Sequence, residues 1–184
     1  TVIFSDFMSA RLGISDQAYS YSIYLVPGLF AFSAFSGALA IMIETPFAKT
    51  GILKKVSTPL YAFELSPLII QYIIFAFSMF IGILFLAAVK GLSLNLLFLI
   101  PLMALQFVFT FGLGLLFSVF SVFFRDIKEV VPIVLQLLFW ATPIVYPAEI
   151  MEKKAPILLN INPLYYFIKP YQNIFLFDEF KISD

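Results

Sequence analysis

Chemistry has few places to live in this chain. Only 12% of its 184 residues are charged, and histidine and cysteine are both absent. Their absence removes disulfides, thiol nucleophiles, the usual zinc ligands and the commonest general base. The carboxylates close enough to act in pairs are Asp126 with Glu129 and Glu149 with Glu152. Membrane glycosyltransferases and phosphatases work through such pairs. Asp126, however, has Arg125 and Lys128 beside it, and cations keep a carboxylate ionised instead of poised as an acid. Glu149 and Glu152 precede Lys153 and Lys154 and read as a solvated cap. No GxxxxGK[ST] loop occurs, so no ATP hydrolysis is expected of this polypeptide. "FGLGLLFS" offers only Gly112 and Gly114, which in a span permit close helix approach and do not cradle phosphate. An enzyme is not expected.

The elements that carry these residues are set by composition. The chain is 62% hydrophobic and 18% aromatic, with about half the charge of a soluble domain. That is a membrane protein. Net charge is zero, which leaves no electrostatic footprint for nucleic acid. Four long apolar stretches stand out: about Tyr19 to Ile43, Leu65 to Val89, Leu92 to Phe124 and Val130 to Tyr146. The second has no charge and would be about 37 Å long as a helix. The third is longer still and must tilt, kink at Pro101 or begin outside the hydrocarbon. Period-two alternation is missing, so the expected class is all-α, with about four full transmembrane helices plus a re-entrant segment. No internal repeat or domain boundary is visible, and residues 1–184 read as one transmembrane domain. The start at Thr1, without methionine or a signal peptide, suggests a fragment truncated at both ends.

By parity, the Glu44–Glu64 linker and the Arg125–Glu129 corner share one face of the membrane. The N-terminal segment, Lys90–Asn95 and Glu149–Lys154 share the other. Basic residues are nearly balanced: Lys49, Lys54, Lys55, Arg125 and Lys128 against Arg11, Lys90, Lys153 and Lys154, or those four with Lys169 and Lys181. Their density in short linkers favours the first face as cytoplasmic.

"RDIKE" at Arg125–Glu129 reads in two ways. As a plain surface turn, its cations snorkel, Asp126 caps the next helix and Arg125 pairs with Glu129 at i, i+4. As a special corner, it is too tight to leave both Arg125 and Asp126 in bulk water. The residues after the corner favour the second reading, because Pro143 lacks a donor and forces Thr142 out of α geometry. A helix from Val130 to Thr142 spans about 20 Å, less than the hydrocarbon. Beyond Pro147, the apolar run Ala155–Ile168 is only 14 residues long and contains Asn160, Asn162 and Pro163. That suits a re-entrant element, which survives only against protein or a water-filled cavity. Trp140 and Tyr146 beside the break read either as an aromatic belt or as lining for a polar path.

Together, "SVFFRDIKEVVPIVLQLLFWATPIVYP" and "NINPLYYFI" resemble the permease subunit of type-2 ABC exporters, in the branch that exports O-antigen, capsule or teichoic-acid polysaccharide. "YLVPGLFAFSAFSGAL" is similar to that family's second span, and "AKTGILKKVSTP" to its first cytoplasmic loop. The resemblance covers roughly Tyr19 to Tyr171. Departures are Phe32 in place of a common tryptophan, Leu60-Tyr61 in place of Arg-Glu, and no arginine after Asn162-Pro163-Leu164. Family members have six spans, which implies that most of the first and all of the sixth are missing here.

The resemblance implies a homodimeric permease in the cytoplasmic (inner) membrane of a bacterium or archaeon. It would work with two copies of an ABC ATPase subunit and move a lipid-linked glycan outward among membrane lipids. ATP and Mg would bind the partner subunit, and this chain would hold no cofactor and no metal. Lys49, Ile52, Leu53, Lys54, Lys55 and Pro59 would form the loop that docks on the ATPase; a basic helix lying on lipid headgroups is the alternative. Arg125, Asp126 and Glu129 would brace the cytoplasmic gate. Trp140, Pro143, Tyr146, Pro147, Asn162, Pro163, Tyr165 and Tyr166 would line or gate the external end, where hydroxylated rings suit sugars. An exporter of lipid or drug, or a channel or secondary transporter outside the ABC class, are the alternatives. Ion coupling usually requires a buried ionisable residue in a span, and none is expected here.

Overall fold

The computed structural model describes residues 20–53, 59–89, 91, 93–148, 151–152 and 156–177. Its elements run α1 (Ser20–Ala48), α2 (Thr50–Leu53), α3 (Leu60–Val89), a 3-10 turn (Leu94–Phe98), α4 (Leu99–Phe123), α5 (Ile127–Ala141), α6 (Pro156–Ile161) and α7 (Pro163–Phe177). No strand occurs among the described residues.

Local chemistry sets the ends of these helices. Gly91, at φ +96°, takes the left-handed conformation that closes α3, and its N–H reaches back to Leu86 O at 3.3 Å. Ser93 then caps the 3-10 turn, its hydroxyl accepting from Asn95 N. Pro101 falls in the first turn of α4, where a missing N–H costs nothing. Thr142 ends α5 in extended geometry (φ −97°, ψ 132°), as a residue before proline must.

Helix α1 is the hub of the bundle, packed by α3, α4, α5 and α7. Ala31, Ala34 and Ala38 on its buried face let neighbouring backbones approach closely, the usual means of packing helices where lipid gives no hydrophobic drive. Helix α4 is built inside out. Its buried stripe below Leu102 is Gln106, Thr110, Gly114, Ser118 and Ser121, while Leu105, Val108, Leu116, Val119 and Phe123 face outward. A spacing of mostly four residues keeps that stripe on one face. Gln106 donates to Ala31 O at 2.8 Å, and Thr110 meets the Tyr72 hydroxyl at 2.7 Å. Gly114 lies against the Met42 side chain, where a Cβ would collide with the thioether; Gly112 faces open space. Only the first of these two glycines serves close approach.

Two expectations need correction. Among the described residues three helical segments are long and apolar enough to cross a membrane, not four: Tyr21–Ala48, Tyr61–Val89 and Leu94–Phe123. The fourth crossing, α5, has 15 residues, about 22 Å against about 30 Å of hydrocarbon. Proline ends it. The second correction concerns Glu64, expected at the edge of a linker with no ionisable group buried in a span. Helix α3 begins at Leu60, one turn earlier, and carries Glu64 into the bundle with no exposed surface. Wrapping that turn over α4 supplies the carboxylate with the Ser118 hydroxyl.

The cross-helix contacts fall in three layers. Glu64, Ser118, Ser121 and Ile43 lie near the linker end, and Tyr72, Thr110, Gln106 and Ala31 in the middle. Tyr21 and Tyr24 meet residues 143–146 at the opposite end. This order agrees with the alternation of linkers expected from parity.

Candidate functional site

The broken crossing leaves helical geometry over residues 142–147. Pro143 and Pro147 contribute no N–H, and the residues between them belong to no helix. Each carbonyl from Pro143 to Tyr146 accepts a side-chain hydrogen bond from another helix. The Tyr24 hydroxyl lies 2.9 Å from both Pro143 O and Tyr146 O, sharing one proton between them. The Tyr21 hydroxyl donates to Val145 O at 3.1 Å. Gln172 Nε2 on α7 donates to Pro143 O at 3.2 Å and Ile144 O at 3.4 Å. Irregular backbone at membrane depth is stable only when protein satisfies it in this way.

A second break is bolted to the first. Asn162 separates α6 from α7 and caps α7, its Oδ1 accepting from Leu164 N at 3.0 Å with Pro163 at the first helical position. Its Nδ2 donates to Thr142 Oγ1 at 2.7 Å, and that hydroxyl donates in turn to Leu138 O. The side chains of Thr142, Asn162 and Gln172 are all buried. Ring and amide contacts of α7 reach Gly28, Phe75, Gly82 and Phe109, all in the half of the bundle nearer the break. Fifteen residues long, α7 dips into that half and does not reach the linker end.

The residues proposed for the external end fall into separate groups. Pro143, Pro147, Asn162 and Tyr165 are buried, while Pro163, Tyr166 and Trp140 are exposed, Trp140 by 61%. Tyr146 donates to Trp140 O at 2.7 Å. Tyr165 donates to Glu152 at 3.1 Å beneath the Lys169 ammonium, which also pairs with Glu152 at 3.8 Å. Tyr166 stacks edge-on against Tyr165. Tyr146 is thus tied to the main chain of Trp140, whose ring meets Phe139 edge-on, while Tyr165 and Tyr166 form a separate aromatic pair. Two apolar grooves of about 490 and 600 Å³ flank the 3-10 turn, and neither includes a break residue.

At the corner, Arg125, Asp126 and Glu129 are exposed. The expected Arg125–Glu129 pair does not form; Lys128 pairs with Glu129 at 3.8 Å instead. The reason is geometric, since α5 starts at Ile127 and Arg125 lies outside the helical register that i, i+4 pairing needs. Asp126 stands at the cap position but in helical geometry, without a side-chain cap bond. In the linker, Lys49 lies over the Phe63 ring at 5.4 Å, Ile52 and Leu53 belong to α2, and Pro59 is exposed. Lys54 and Lys55 lie outside the described residues, as do Arg11, Lys90, Glu149, Lys153, Lys154 and Lys181.

Tyr21, Tyr24, Gln172 and Glu64 were not singled out from the sequence. The four-residue spacing of Gln106, Thr110, Gly114 and Ser118 was the available signal, because a polar stripe inside an apolar helix must face partners.

Fold and site together define a polytopic helical membrane protein with a shortened, side-chain-clasped crossing and a re-entrant helix beside it. Comparison with known families places the kind more narrowly: residues 1–176 match the ABC-2 type transporter family, and the chain belongs to it. Among curated proteins it is similar to two O-antigen export system permease proteins RfbA of Klebsiella pneumoniae. These are 30% and 31% identical over 169 residues, 90% of this chain and 65% of each relative. An RfbA of Myxococcus xanthus is 33% identical over 73 residues, 39% of this chain and 28% of that protein. The chain thus spans a little under two thirds of the length of the Klebsiella relatives.

Proposed function

We propose that this chain is the permease part of an ABC exporter that moves lipid-linked polysaccharide outward across the cytoplasmic membrane. The observation that carries the reading is the pair of bolted helix breaks, in a chain of this family whose curated relatives are O-antigen export permeases. A transporter needs a place where helices can part without leaving bare backbone in lipid. The clasp supplies one, because its donors are side chains on α1 and α7 that can change partners.

Energy comes from a separate ATPase subunit that binds ATP and Mg and docks on the linker around Lys49 and Pro59. Two copies of each subunit make the working unit. The exposed charges Arg125, Asp126 and Glu129 brace the same face, available to partners outside this chain. Tyr146, Trp140, Tyr165 and Tyr166 meet the glycan at the far end. The test is genetic complementation: the full-length protein, expressed with its ATPase in a strain lacking its own O-antigen permease, restores surface polysaccharide. Normal ATP turnover with glycan retained inside would defeat the reading.

A further inference from the structure

Glu64 is the one fully buried carboxylate among the described residues, and the export function proposed for the breaks leaves it unused. Ser118 Oγ on α4 donates to its Oε1 at 2.5 Å. Ser121, one turn further along α4, donates to Ser118 O at 2.7 Å and lies 3.2 Å from Ile43 O on α1. Thr45 on α1, also buried, stands beside the carboxylate but donates to Ile41 O. The charge of Lys49 acts on it, yet Lys49 makes no ion pair there and lies over the ring of Phe63. Oε2 has no hydrogen-bond partner among the described residues.

A carboxylate inside a span is expensive, and a leucine would hold three helices together more cheaply. What the carboxyl adds is direction and a choice of partners. One oxygen holds Ser118, the other has no partner among the described residues, and Thr45 stands beside the same group. The cluster also lies at a junction. Glu64 is in the second turn of α3, straight after the linker, and Thr45 is in the last turn of α1, straight before it. Ser118 and Ser121 are in the last two turns of α4, directly before the corner that leads into the broken helix.

Building on the exporter reading, we infer that Glu64 is the positioning residue through which movement of the linker is passed to α4. A shift of α2 and the start of α3 moves the carboxyl, and Ser118 follows it. Helix α4 then carries the displacement to the corner and to α5. Glu64 touches neither substrate nor nucleotide.

The test uses the full-length permease assembled with its ATPase. ATP turnover is measured on purified complex in lipid nanodiscs, and surface polysaccharide in a permease-deletion strain, each divided by the amount of assembled complex. Glu64→Ala and Ser118→Ala should each lower polysaccharide exported per complex by about tenfold, a buried hydrogen bond's worth, with ATP turnover maintained. Glu64→Gln, which still accepts from Ser118, should keep most of the export. If less complex assembles while export and ATP turnover per complex both stay at the wild-type level, or if the two fall together per complex, the residue is a structural clamp and the inference is overturned. If the wild-type complex turns over ATP but exports nothing, the exporter reading itself has failed and this inference goes with it.

Discussion

Asn162 serves two helices with one side chain, and the cost of removing it follows from that arrangement. Asn162→Ala loses the bond to Thr142 and the cap on Leu164 N, leaving buried groups unpaired. The expected destabilisation is about 1–3 kcal/mol, read as a lower thermal midpoint in detergent. Asn162→Asp keeps the cap but not the donation and should fall between. The two glycines of α4 make a second contrast. Gly114→Val must displace Met42 and should destabilise, whereas Gly112→Val meets open space and should be tolerated. Comparing their melting temperatures checks this directly. Residue identities were legible where chemistry is local. Pro143 announced the break and Asn162-Pro163 announced the turn, because each acts on its own backbone. The partners of those breaks were not legible, since Tyr24 and Pro143 lie 119 positions apart and only folding brings them together.

Helix α5 shows how much of an element its own sequence decides. Its start after the charged corner, its end at Ala141 and its shortness all follow from Arg125–Glu129 and Pro143. Replacing Pro143 by alanine restores a donor and removes the restriction on Thr142, so the helix should extend past Ala141. Extension would pull Pro143 O and Ile144 O away from Tyr24 and Gln172. The expected result is normal insertion with greatly reduced export, checked by membrane fractionation beside a surface-polysaccharide assay. The boundary of α3 was harder to read. Hydropathy alone starts that helix after the charge at Glu64, but helix formation does not stop at a charge when a neighbouring element offers a partner. Ser118 is that partner, and the turn Leu60–Glu64 belongs to the helix because of it.

At the scale of the molecule, the linker with the corner and the break with the 3-10 turn occupy opposite ends of the bundle. The absence of cysteine makes that arrangement easy to test with single substitutions. Gly51→Cys and Glu129→Cys should react with an impermeant thiol reagent from one side of the membrane, and Leu94→Cys from the other. All three positions are exposed. Labelling of Gly51 and Leu94 variants from the same side would contradict the alternation. The layered order also bears on how the protein is made. The tyrosines that quench the bare carbonyls come from a helix translated more than a hundred residues before those carbonyls exist. A nascent chain whose early segment is inserted backwards, or delayed, therefore has nothing to offer the late one, and quality-control proteases should meet it as a half-embedded stub.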